Sequence, residues 1–277
     1  MRRSVWVNVF LFLLTFASTL AVGALHQGAD IIAEPELIVK GLPFSLTLLG
    51  ILLVHEFSHY FMSRKHGVDS SLPYFIPAPT LFGTLGAFIT MRSRITTRNA
   101  LMDIGSSGPI AGFLVSISAT VIGLMYSDVH AVNSSGEMIV LGDSLLFSLL
   151  TRLIIGTVPA GYDVYMHPVA FAGWIGFFVT SLNLIPVGQL DGGHIAYAIM
   201  GDKHRWVSRV LIGLLLGMGV FVFSGWLVWA VLLFVLGSKH PPILYPDIPL
   251  DPRRRAVGMT ALIIFILTFI PVPVVIR

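Results

Sequence analysis

The sequence predicts an all-α polytopic membrane protein of about seven spans, with a small re-entrant β-hairpin beside a polar cluster in the second span. Three observations carry this. Of 277 residues, 55% are hydrophobic and 11% charged, with mean hydropathy +0.87, far outside the range of a water-soluble domain. Apolar runs long enough for a hydrocarbon core of about 30 Å recur along the chain, bounded by basic loops. One apolar stretch, residues 74–92, is so interrupted by Pro77, Pro79, Gly83 and Gly86 that it reads as strand, turn, strand rather than helix.

The runs at 5–24, 43–63, 101–126, 168–186, 206–223, 225–238 and 256–273 are the expected spans. The first also has the basic head and small-residue tail of a cleavable leader. Cations gather at Arg2 and Arg3, from Arg64 to Arg98, at 203–205 and from Lys239 to Arg255, which puts these loops in the cytoplasm and the loops 25–41 and 127–140 outside. That order closes only if residues 141–156 do not cross. The segment is short and carries Asp143 and Arg152, so it reads as interfacial or re-entrant. Residues 206–238 then form two short spans turning at Ser224-Gly225. No repeat or long polar linker divides the chain, so 1–277 is expected to be one membrane-embedded domain, with a core at 42–200 and C-terminal spans at 206–273. The formal charge of +3 sits at span ends and argues against a nucleic-acid partner. The absence of cysteine leaves histidine and carboxylate as metal ligands.

The second span contains "LLVHEFSHYF", residues 52–61. His55 and His59, one helical turn apart, project from one face, and Glu56 lies about 100° further round. This is the H-E-x-x-H arrangement, in which two imidazoles hold a zinc ion and the glutamate accepts a proton from water. The competing reading is a hydrogen-bonded cluster that ties helices together. A carboxylate inside a span costs about 2.5 kcal/mol or more to insert, which favours the metal site. Such a site needs a third ligand. In "NLIPVGQLDGGHIAYAI", residues 183–199, Pro186 and Gly188 break the backbone at membrane depth, which is tolerated only where it lines protein or a cavity. Asp191 follows that break and is the expected third ligand; its plainer role would be the N-cap of the next helix.

HEFSH, together with Asn183, Pro186, Asp191 and Gly192 in an N-x-x-P-x-x-x-x-D-G pattern, resembles the two signatures of the site-2 protease family of intramembrane zinc metalloproteases. The stretches 75–93, 103–113, 167–194 and 239–255 are similar to its plastid and cyanobacterial branch and to relatives without a PDZ domain, so the likeness spans about residues 42–273. The resemblance implies that His55, His59 and Asp191 bind zinc, that Glu56 is the catalytic base, and that Asn183 lies beside the scissile backbone of a single-span membrane protein substrate. The chain is expected to be a multi-pass protein in the plasma membrane of a prokaryote, and the charge pattern puts its active site toward the cytoplasm. An ion transporter would instead spread its ligands along several spans, and a non-catalytic binder of transmembrane helices would lack Glu56 or a ligand.

A hairpin at 74–92 with a free edge would pair with an unwound substrate by strand addition, since a transmembrane helix must give up internal hydrogen bonds before its backbone can be attacked. Gly105, Gly108 and Gly112 are expected to allow close helix approach. His194 is a weaker candidate near the metal. His66, His204 and His240 read as solvated loop histidines, Asp103 as a partner of Arg98 or a helix cap, and Trp174, Trp206, Trp226 and Trp229 as interfacial anchors.

Overall fold

The computed structural model describes residues 5–131, 139–237 and 240–276. Nine α-helices appear among them: α1 (Val5–His26), α2 (Leu42–Lys65), α3 (Arg98–Met125), α4 (Leu145–Ile154), α5 (Pro168–Asn183), α6 (Asp191–Met200), α7 (His204–Phe221), α8 (Gly225–Leu236) and α9 (Pro252–Thr268). Among the described residues, four segments are long and apolar enough to cross a bilayer: α1, Pro35–Lys65, α3 and Asp191–Phe221. The other expected spans correspond to α5, α8 and α9, helices of 16, 12 and 17 residues. Helix α4 has ten residues, about 15 Å, shorter than any of these.

Helices α2, α3 and α5 form the centre. Phe44, Leu48, Leu52, Trp174 and Phe177 are buried between them, and Gly173 and Gly176 lie against Ser116 and Thr120 of α3, where any side chain would overlap that helix. Trp174 is fully buried rather than interfacial, as is Trp226; each indole N–H donates to a backbone carbonyl, of Gly142 and Pro271 respectively. The chain turns between α7 and α8 where Ser224-Gly225 predicts it.

The strands are β1 (Tyr74–Pro77), β2 (Thr84–Phe88), β3 (Asp128–Ala131), β4 (Ile139–Leu141), β5 (Tyr162–Tyr165) and β6 (Val274–Ile276), paired as three two-stranded antiparallel sheets, β1-β2, β3-β5 and β4-β6. Only β1-β2 is the expected hairpin. It lies along α1: Asn8 donates to the carbonyls of Leu72 and Pro73, Phe12 packs edge-on to Phe75, Ser18 donates to Gly83, and His26 bonds the carbonyl of Leu81 at the tip. Asn8 and His26 are 18 residues apart on α1, about 27 Å. The hairpin thus runs nearly the full depth of the helical layer, with β1 against α1 and the outer edge of β2 unpaired by any described strand.

The basic loops meet at one end of the molecule. His66 and Arg254 both bond Asp103, Ser70 bridges to Met91 and Thr97 to Tyr245. Asp103 therefore joins three segments and neither pairs with Arg98 nor caps α3, whose cap is the Thr97 hydroxyl. The opposite end gathers the tip of the hairpin, α4 and the sheets β3-β5 and β4-β6.

Candidate metal centre

Helix α2 carries His55, Glu56 and His59 into the interior, where all three are buried. What makes room for them is the glycine face of α3. A Cβ at Gly108 would overlap the His59 imidazole, one at Gly112 would press on His55, and one at Gly105 would press on His194. The expected packing role of these glycines holds, and the objects packed are the imidazoles themselves.

Asp191 arrives from the other side. After α5 ends at Asn183, the chain turns through Pro186 and Gly188, which has φ +56°, before α6 begins. Gly192 and Gly193 sit so close to the carbonyls of Leu184, Val187 and Gly188 that no side chain fits, and this lets the first turn of α6 nest in the broken segment. Asp191 makes no capping hydrogen bond; the N-cap position belongs to Leu190. Its carboxylate is turned on the histidines instead, with one oxygen 3.2 Å from His55 Nε2 and the other 3.2 Å from His59 Nε2. The two Nε2 atoms are 3.1 Å apart.

This constellation fits a cation. His59 Nδ1 lies 2.7 Å from the Ile104 carbonyl, which only accepts, so Nδ1 carries the proton and a neutral His59 presents its Nε2 lone pair. That lone pair faces a carboxylate oxygen and a second imidazole, an arrangement that a cation held among them satisfies, as would a proton on His55 Nε2. Ligands of a tetrahedral ion with bonds of about 2.0 Å are about 3.3 Å apart, close to the separations seen. Among the described residues, His55, His59 and Asp191 are the one group of three such side chains placed to hold a metal. The Ile104 carbonyl is a partner that sequence reasoning missed, because a backbone acceptor leaves no mark on residue identity.

Glu56 contributes no atom to that group. Its carboxylate lies beside the backbone of Ile89, just past β2, which brings the hairpin to the site. Asn183, the last residue of α5, places Nδ2 3.4 Å from His55 Nε2, at the edge of the cluster. His194, the weaker candidate near the metal, and His240, expected in a solvated loop, form a pair at 2.6 Å, with His240 stacked on Tyr197 and bonded to the Pro241 carbonyl. Burial beside His194 holds the His240 pKa down at about 3, so it stays neutral. His204 is likewise buried and bonded to Ser208, and His66 to Asp103, so these are structural side chains rather than solvated loop residues.

Residues 43–224, which include all five candidate site residues, match the family model described as Peptidase family M50. The "Probable zinc metalloprotease EGY1, chloroplastic" of Arabidopsis thaliana is 29% identical over 96% of this chain and 53% of its own length. The EGY2 protein of the same plant is 28% identical over 86% of this chain and 43% of its own. The EGY1 protein of Oryza sativa subsp. japonica is 31% identical over 84% and 41%. The chain thus spans about half the length of the curated relatives it matches. Their names place those proteins in chloroplasts, so the expected prokaryotic plasma membrane draws no support from them.

Proposed function

The chain belongs to peptidase family M50, and from that premise we propose that it is an intramembrane zinc endopeptidase that hydrolyses a peptide bond in or near the transmembrane segment of a single-span protein. The observation that carries the reading is the convergence of two imidazoles and a carboxylate on one buried point, with Glu56 adjacent but not among them. His55, His59 and Asp191 would hold the ion. When bound, zinc polarises a carbonyl and lowers the pKa of a water. Glu56 would take a proton from the attacking water and return it to the departing amine. Asn183 donates through Nδ2 to the backbone around the scissile bond, and α3 and α5 exclude bulk solvent from one side. A clustered site at one depth is what proteolysis needs, whereas transport requires ligands along a path.

In this reading α1, α2, α3, α5, α7, α8 and α9 make seven crossings, α4 lies in the outer interface, and the basic loops face the cytoplasm. The substrate, once unwound, adds to the free edge of β2, whose end reaches Glu56. Neighbouring strand amides point to opposite edges, so Ala87→Pro and Phe88→Pro between them remove one outward donor. At least one should lower cleavage severalfold with zinc retained. Full activity in both variants overturns strand addition.

The function itself is tested in proteoliposomes. The purified chain should cleave a single-span reporter, lose that activity to a membrane-permeant zinc chelator, and regain it on zinc addition. Cleavage that survives complete metal removal defeats the proposal.

A further inference from the structure

A cavity of about 540 Å³ opens at the end of the molecule opposite the basic loops, within the size range of about 300–1,000 Å³ typical of ligand sites. The hairpin tip forms one wall through Leu81 and Phe82, the end of α1 adds His26, and Phe147 of α4 and Phe171 of α5 supply aromatic surface. Its polar character is acidic. Asp143 and Asp163 both line it, and no lysine or arginine does among the described residues. Partial burial holds the Asp143 carboxyl above the usual carboxylate range, Asp163 adds repulsion, and a hydrogen bond from Ser148 opposes both. Thr151 also lines the cavity, with its hydroxyl turned away from the open space. An apolar-walled pocket with two repelling carboxylates is complementary to a cationic side chain on a hydrophobic stem.

We propose that this cavity is an exosite that receives a lysine or arginine from the outer juxtamembrane segment of the substrate, and so selects which single-span proteins are cleaved. The inference rests on the proteolytic reading above. Continuity with the hairpin supports it: from Ile89, beside Glu56, to Phe82, at the cavity wall, is seven residues, up to about 23 Å of strand. A substrate extended along β2 therefore delivers its outer end to the cavity while its scissile bond lies at the metal centre. Basic residues are uncommon on the outer side of a span, so a site that demands one discriminates among membrane proteins.

The test uses three single-span reporters that differ at one outer juxtamembrane position, arginine, alanine or glutamate. Binding is read on the full-length Glu56→Gln chain in phosphatidylglycerol vesicles, where no turnover is needed. The arginine form should bind roughly two- to fivefold tighter than the alanine form, as expected for partly exposed charge pairs, and the glutamate form more weakly. Asp143→Asn combined with Asp163→Asn should bring the ratios to one. Equal affinities of the three reporters for the chain with both aspartates intact overturn the proposal, as does a preference that persists in the Asp143→Asn, Asp163→Asn chain. A preference that vanishes when phosphatidylethanolamine replaces phosphatidylglycerol assigns the cavity to a lipid ammonium and also overturns it. Cleavage of the alanine reporter by the zinc-loaded Glu56 chain is scored separately, so a failure of proteolysis is distinct from a failure of the exosite.

Discussion

Replacing Glu56 with glutamine should leave about one zinc per chain in place and reduce reporter cleavage by roughly 10²- to 10⁴-fold, the usual contribution of a positioned general base. The two halves of this expectation have separate structural causes. Zinc should stay because the atoms that converge belong to His55, His59 and Asp191, and the Glu56 carboxylate, beside the backbone of Ile89, is not among them. Packing should stay because glutamine has nearly the same shape, and Glu56 is buried on a helix whose neighbours on α3 are set by Gly108 and Gly112. Cleavage should fall because an amide cannot accept the proton that a carboxylate accepts. Metal analysis beside a timed cleavage assay reads both. A variant that retains zinc and cleaves at close to the original rate removes Glu56 from the role of base.

How much of this was legible in the sequence depends on the kind of information each feature leaves. The spacing of His55 and His59 fixes a shared helical face locally, and a charge inside an apolar run is costly enough to be conspicuous, so this half of the site could be read directly. Asp191 was legible through the broken backbone that precedes it, since Pro186 and Gly188 cannot continue a helix. The hairpin at 74–92 declared itself by apolar residues that prolines forbid from helix. What stayed hidden depends on partners distant in the chain. Strand β6 pairs with β4 across more than 130 residues, and neither three-residue strand has a pattern of its own. Asp103 joins Arg254 rather than the nearby Arg98 for the same reason: sequence distance decided the guess and tertiary contact decided the pair. Trp174 and Trp226 were misplaced because a tryptophan near a span end can sit at an interface or, with its N–H given an acceptor, be buried.

The second large effect concerns the ligands. His59→Ala should remove zinc almost completely, because in the proposed site His59 is both a ligand and the best-anchored member of the set. Its Nδ1 proton is held by the Ile104 carbonyl, and Gly108 lies flat against the ring, so Nε2 is aimed before any metal arrives. Loss of an outer-sphere partner alone typically costs 10- to 100-fold in metal affinity, so loss of the ring should exceed about 100-fold. Asp191→Ala should behave alike, since it leaves two imidazoles 3.1 Å apart with no anionic partner. Asp191→Asn is the informative comparison. It keeps the size of the side chain and an acceptor oxygen but removes the negative charge beside which the two nitrogen lone pairs and the ion are balanced, so zinc should weaken less than in Asp191→Ala yet still measurably. Each variant is purified in the same detergent and assayed for zinc per chain across a series of buffered free-zinc concentrations. Affinities that fall in the order of the original chain, Asp191→Asn, then Asp191→Ala and His59→Ala together establish the three-ligand assignment. Stoichiometric zinc in a chain that lacks both His55 and His59 side chains would overturn it.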